Sequence, residues 1–128
     1  MFQIKSKQMI CPLASFEEVF KTEHGVVYQC SRKNCYWLDF QGEATPFKVR
    51  DFFQFKKAID AMDVELMLCN SSRSFDFEIL MPFRSERIFI LSVEDILKMR
   101  ELLAGAKFMI ELNSEIKNCL QSKALLAI

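Results

Sequence analysis

The sequence predicts an α+β fold in which helices pack on one face of an antiparallel sheet of about five strands. Three observations predict this class. Segments that alternate apolar and polar residues come in pairs separated by short polar turns, as in antiparallel hairpins. Each group of strands is followed by a stretch with apolar residues at helical spacing. The chain has 128 residues, enough for one domain, residues 1–128, whose core needs neither metals nor disulfides. The predicted order is strand-strand-strand-helix-strand-strand-helix.

The clearest early hairpin is predicted over residues 24–40. Two segments rich in β-branched and aromatic residues flank a polar turn, which is typical of paired strands. A four-residue turn places Cys30 opposite Cys35 and Tyr28 opposite Trp37, with Cβ atoms about 4.5–5.5 Å apart across the strands. The sequence therefore predicts two thiols and two aromatic rings on one face.

The segment before this hairpin fits two structures, whereas the segment after it fits a strand followed by a helix. Residues 11–23 fit either one helical turn or a strand. Residues 46–49 read as a third strand, and Pro46 favours an edge position because proline cannot donate to a sheet ladder. Asp51 is predicted to cap the helix that follows. The apolar stripe of that helix consists of Phe52, Phe55, Ile59 and Met62.

The second half of the chain contains a similar unit, two strands followed by a helix. Residues 64–69 are apolar but too short to classify, whereas residues 75–83 alternate strongly and pair with residues 87–91. Ser92 is the predicted N-cap of the last helix, and Gly105 predicts a kink or close packing within it. The predicted apolar stripe comprises Ile96, Met99, Leu103, Ala106 and Ile110, extended by Leu112, Ile116 and Leu120.

The length of this last helix bears on assembly. If it is unbroken from Val93 to Leu120 it is about 42 Å long at 1.5 Å per residue, longer than a domain of this size is wide. Its far half then needs a partner, which is either its own tail folded back after Asn113 or the same helix in a second molecule. The apolar end, residues 124–128, favours the second molecule. We therefore predict a homodimer through the C-terminal helix.

The hairpin cysteines are the main candidate for a chemical site. Cys30 and Cys35 could supply two zinc ligands, with Cys11 as a third. His24 is excluded from the same ion because six residues of extended chain span about 20 Å. Two other interpretations stay open. The pair could fill space in an apolar cluster, or act as redox or nucleophilic thiols, since basic neighbours lower a thiol pKa.

A second candidate is a nucleic-acid surface on the same hairpin. Tyr28 and Trp37 lie beside Arg32 and Lys33 in sequence, and aromatic rings next to cations suit base stacking. The formal net charge of zero argues against nucleic acid as a general partner, because it gives no long-range attraction to phosphate.

The remaining features exclude several classes. No phosphate-binding glycine loop or metalloprotease motif is present, and any chemistry that needs histidine depends on His24 alone, so an enzyme is the least expected class. Neither a signal peptide nor a membrane-spanning stretch is evident, so no membrane partner is expected.

Five cysteines in a chain without a secretion signal predict reduced thiols and a cytoplasmic location. Of these, Cys69 and Cys119 have apolar neighbours in sequence and are predicted to be buried by packing.

A family resemblance adds to this picture. The pattern His24-x5-Cys30-x4-Cys35-x2-Leu38-x-Phe40, with residues 87–91 leading into residues 102–106, resembles a family of short uncharacterised bacterial proteins found mainly in Bacteroidetes. The resemblance covers about residues 11–120 and implies the same fold. Members often carry C-x-x-C where this chain has C-x4-C, which weakens a metal role transferred from the family. It implies no activity.

These observations predict a non-catalytic homodimeric interaction or binding module without a bound cofactor. The alternative is a zinc- or nucleic-acid-binding module built on the hairpin of Cys30 and Cys35.

Overall fold

The structure, a computed structural model, describes residues 16–30, 34–69, 77–82 and 87–126, with side chains described up to residue 121. Those residues form an α+β protein, as predicted. Its elements in chain order are β1 (Phe16–Thr22), β2 (Gly25–Cys30), β3 (Cys35–Phe40), β4 (Glu43–Lys48), α1 (Val49–Asp60), α2 (Val64–Cys69), β5 (Phe77–Leu80), β6 (Phe89–Ser92) and α3 (Val93–Leu126).

The first four strands form an antiparallel sheet in the order β1-β2-β3-β4. The predicted hairpin register is confirmed, since Cys30 pairs with Cys35 and Tyr28 with Trp37. Of the two structures that fitted residues 11–23, the described part adopts the strand, and residues 11–15 lie outside the described part. A bulge between Glu18 and Phe20 shifts the register of β1 against β2.

The prediction of a single sheet of about five strands is wrong. Within the described residues, β5 and β6 pair only with each other and form a separate two-stranded sheet. Pro46 lies in β4 and has no N–H to offer to a further strand. The Arg87 side chain also donates to the Glu43 carbonyl over 3.1 Å and to Thr45 Oγ1 over 2.8 Å. Side-chain bonds thus connect this sheet to β4 in place of a strand ladder.

Helix α1 covers one face of the four-stranded sheet, as predicted. It begins at Val49, so the prediction that Asp51 caps it is wrong: Asp51 is a buried residue of the first turn. Lys48 occupies the N-cap position without a side-chain cap. Phe52, Phe55 and Ile59 are buried on the predicted stripe. Residues 64–69, which could not be classified, form the short helix α2.

A continuous row of aromatic rings joins the layers of the core. Tyr36 of β3 packs on Phe52 with ring centroids 4.9 Å apart, and Phe47 of β4 stacks on Phe55 at 5.0 Å. Phe55 in turn contacts Phe89 of β6 at 4.9 Å. This row attaches the two-stranded sheet to the main core, so β6 buries one face against α1.

Helix α3 packs its first half on the same core. Ser92 caps it as predicted: its Oγ accepts from the Asp95 N–H, and Asp95 Oδ2 accepts from the Ser92 N–H, both over 3.2 Å. A Cβ on Gly105 would overlap the ring of Phe20, so the predicted close packing is confirmed. Arg100 donates to the Met62 carbonyl over 2.6 Å and thereby fixes the end of α1 against α3.

Within the described part of the chain, none of the helices is both long and apolar enough to cross a membrane.

Candidate functional site: the cysteine face and two exposed apolar faces

The sheet face that carries the cysteines points away from the aromatic core. Cys30 is fully buried there and Trp37 is only 4% exposed. Phe16 packs edge-on against Tyr28 and Trp37, with ring centroids 6.5 Å and 6.2 Å away. Ala44 completes this small cluster, into which Cys35 also packs. The two thiols and two aromatic rings therefore share one face, as predicted, and they pack as a second small hydrophobic cluster.

The zinc prediction depends on a residue outside the described ranges. Cys30 and Cys35 are cross-strand neighbours, but Cys11 lies outside the described part. Among the described residues, no group of three or more His, Cys, Asp or Glu side chains is placed to hold a metal ion. Two thiolates alone do not complete a tetrahedral zinc site. Zinc binding through the three cysteines stays a prediction.

The nucleic-acid prediction also rests partly on residues outside the described ranges. Arg32 and Lys33 lie outside the described residues, whereas Tyr28 and Trp37 pack in the small hydrophobic cluster. Stacking a base requires an exposed ring face. Trp37 offers none, and Tyr28 is half-buried. Burial, together with the charges of Asp39 and Glu18, raises the pKa of the Tyr28 hydroxyl. Binding of nucleic acid to this hairpin remains a prediction.

The prediction for the two other cysteines in described segments is wrong. Cys69 and Cys119 are both exposed rather than packed in apolar surroundings. Cys69 ends the short helix α2, and Cys119 lies on the part of α3 that extends past the core. Apolar neighbours in sequence do not ensure burial when the element itself projects from the domain.

The two-stranded sheet presents an unexpected apolar surface. Its inner side buries Phe89 and Leu91 in the core. Its outer side, which we call the ribbon face, carries large apolar side chains that are between 51% and 69% exposed. In the register of this sheet Ile79 lies opposite Ile90. The ribbon face consists of Phe77, Ile79, Met81, Ile88 and Ile90.

The sequence contained a signal for this surface that the prediction did not use. Residues 88–91 read Ile-Phe-Ile-Leu, an uninterrupted apolar run. A strand with one solvated face normally alternates apolar and polar residues, whereas an uninterrupted run indicates that both faces are apolar. One face of β6 meets the core. The other face is the ribbon face.

The far half of α3 carries a second exposed apolar surface. We call it the tail stripe: Phe108, Leu112, Ile116 and Leu120, which are between 39% and 63% exposed. All residues from 111 to 121 are exposed, so this half of the helix leaves the domain. Cys119 lies between the last two members of the stripe.

The tail stripe does not continue the core stripe, which corrects the prediction. Leu112 follows Leu103 by nine residues, about two and a half turns at 3.6 residues per turn, and so lies on the opposite side of the helix. The residues that do continue the core-facing side are Asn113 and Lys117, which are polar. The apolar side of α3 thus changes from inward to outward near residue 108.

The groove between α1 and α3 has a different character. Lys56 forms an ion pair with Asp60 over 2.6 Å, and Lys107 lies 3.9 Å from Glu111. Each of these lysines has a carboxylate one turn away, which compensates its charge. Lys57 also lines this groove, so its polar surface combines three lysines with two carboxylates, Asp60 and Glu111.

Comparison with protein-family models, with curated proteins and with solved structures finds no match to this chain. The resemblance to short Bacteroidetes proteins accordingly stays a prediction.

Proposed function

We propose that this protein is a non-catalytic interaction module that forms a homodimer through α3. The observation that supports the proposal is the tail stripe, an apolar surface on a helix segment that extends beyond its own domain. Large contiguous apolar patches are uncommon on monomeric proteins and mark sites of association. A stripe on the outward side of a helix is suited to contact a second molecule.

The continuity of α3 supports this proposal over the fold-back alternative. The helix runs unbroken through Asn113 and Ser114, where a reversal of the chain was the other way to cover the far half. At 34 residues it is about 51 Å long at 1.5 Å per residue. A helix segment of this kind, without tertiary contacts, is marginal in water, and burial of an apolar face is what normally stabilises it.

Burial of the tail stripe contributes part of the free energy that association needs. Fully burying one large aliphatic or aromatic side chain contributes about 1.5–3 kcal/mol. The tail stripe offers four such side chains from each copy, and because they are between 39% and 63% exposed, each contributes a fraction of this amount. This gain has to exceed the loss of translational and rotational freedom on association. The balance predicts a dimer whose stability depends strongly on individual members of the stripe.

The proposal is tested by measuring mass in solution across a range of protein concentrations. We expect the wild-type protein to approach twice its chain mass of 15.0 kDa as the concentration rises. Ile116→Lys places a charge in the middle of the stripe and should shift dissociation to at least tenfold higher concentration. Leu68→Lys is the matched control, because Leu68 is 67% exposed but lies on α2, outside both apolar faces.

Two outcomes would contradict the proposal. The wild-type protein could remain a monomer at all concentrations, or Ile116→Lys could dimerise as well as Leu68→Lys. Circular dichroism of each variant checks that α3 remains helical.

We place this module in the cytoplasm of a bacterium, as the odd cysteine count and the family resemblance suggest.

A further inference from the structure

We propose that the tail stripe of one copy docks on the ribbon face of the other copy, and that the twofold axis makes this contact occur twice. The inference rests on the proposed homodimer and names the surface that each tail contacts. In this arrangement the second copy covers both exposed apolar faces, the tail stripe and the ribbon face. The alternative within the same homodimer is that the two tails pack on each other.

The amount of apolar surface favours the reciprocal contact. The ribbon face and the tail stripe together contain nine large apolar side chains. If each of these side chains loses roughly 100 Å² of accessible area when the dimer forms, a protomer contributes about 900 Å² of buried surface to the interface. A stable interface needs about 800 Å² from each partner. Either face alone supplies only about 400–500 Å² on the same basis, so an interface of ordinary size requires both.

The shapes of the two faces also match. A helix covering a sheet is a standard way to bury the apolar sides of both elements. The four-residue strands β5 and β6 are each about 13 Å long at 3.3 Å per residue. The segment from Leu112 to Leu120 is about 12 Å long at 1.5 Å per residue. One helical stripe therefore covers the length of the two strands.

Chain connectivity excludes the same contact within one molecule. Strand β6 ends at Ser92 and α3 begins at Val93, so the ribbon face lies beside the first turn of the helix. Ile116 is about 35 Å further along the same unbroken helix at 1.5 Å per residue. A tail can reach a ribbon face only on a second molecule. Two α3 helices running in opposite directions would bring each tail to the start of the other helix.

Cys119 provides an internal reporter for the test, because it is exposed and adjoins Ile116 and Leu120 on the tail. In a Cys69→Ser background, Ile90→Cys and, separately, Ile79→Cys place a thiol on the ribbon face. Oxidised glutathione then links any two thiols that the dimer holds close, which requires Cα atoms within about 7 Å. Peptide mapping by mass spectrometry identifies the linked pair. Leu68→Cys in the same background is the control.

We expect a covalent dimer in which Cys119 of one copy is joined to the thiol introduced on the ribbon face of the other copy by Ile90→Cys or Ile79→Cys. The Leu68→Cys control should give at least fivefold less of it. A dominant link between two copies of Cys119 would show tail-to-tail packing and overturn the inference. A dimer without any link from tail to ribbon in either variant would overturn it as well. In both of these cases the homodimer itself still stands. A protein that stays monomeric before oxidation refutes both proposals.

Discussion

At the scale of single residues, Gly105 illustrates a position at which packing overrides helix propensity. Alanine is favoured over glycine inside a helix by about 1 kcal/mol. In this protein, however, a Cβ on Gly105 would overlap the ring of Phe20 from β1. Forcing an additional methyl group into a packed site costs about 1–3 kcal/mol. The steric cost equals or exceeds the gain in helix propensity, so glycine is favoured at this position while Phe20 keeps its place against α3.

We predict that Gly105→Ala lowers the free energy of unfolding by up to about 2 kcal/mol in the wild-type background, the steric cost less the gain in helix propensity. In a Phe20→Ala background the obstacle is removed, and the same change should raise the free energy of unfolding by up to about 1 kcal/mol. Urea denaturation of the four proteins in this cycle measures both effects. A loss of similar size in both backgrounds would show that Phe20 is not the cause.

The sequence predicted part of this contact. A glycine inside a strong helical pattern indicated close packing or a kink at residue 105. Its partner, Phe20, could not be identified because the segment before residue 24 fitted a strand or a helical turn equally well. A contact between residues far apart in the sequence can be predicted only when the secondary structure of both segments is known.

At the scale of elements, the starts of α1 and α3 share Val and Asp at the second and fourth positions but differ in the residue at the N-cap position. Residues 92–95 read Ser-Val-Glu-Asp, and Ser92 and Asp95 form a reciprocal cap. Residues 48–51 read Lys-Val-Arg-Asp, and Lys48 provides no side-chain cap. The Lys48 backbone already has the extended conformation of an N-cap, with φ −68° and ψ 159°. Only the side chain is unsuited to the position.

Two substitutions with opposite effects test this comparison. Ser92→Ala removes an N-cap and should lower the free energy of unfolding by about 1 kcal/mol. Lys48→Ser creates the Ser-x-x-Asp pattern at α1 and should raise it by about 0.5–1 kcal/mol. Thermal and urea unfolding of the two variants provide the measurement. A Lys48→Ser protein no more stable than wild type would mean that the start of α1 has no unsatisfied N–H groups for a cap to bind.

Elements with strong local patterns were predictable, and those that depend on distant contacts were not. The register of β2 and β3 follows from one turn length and from alternation within residues 25–40, so the sequence alone places Cys30 opposite Cys35. The sheet of β5 and β6 is connected to β4 by the hydrogen bond from Arg87 to Thr45, two residues that lie far apart in the chain. No local pattern reports which sheet a strand joins.

At the scale of the whole molecule, the exposed surfaces rather than the cysteine face distinguish this protein from an ordinary small domain. The sequence predicted that the far half of α3 needs a partner, since its length alone exceeds the domain. It did not predict the side of the helix involved, because Leu112 was assigned to the core stripe. Counting turns from Leu103 places Leu112 on the outer side, and the structure confirms its exposure. The ribbon face was missed because alternation was assumed to mean one buried and one solvated face.

The central claim, that a second copy covers the tail of α3, is tested most directly by hydrogen–deuterium exchange at several protein concentrations. In a monomer, the backbone amides of residues 111–121 belong to an exposed helix segment beyond the core and should exchange quickly. We predict that their protection increases at least tenfold as the concentration passes through the dimerisation midpoint. Residues 96–106, packed in the domain core, serve as the internal control and should not change. Equal exchange of residues 111–121 at all concentrations would contradict the claim.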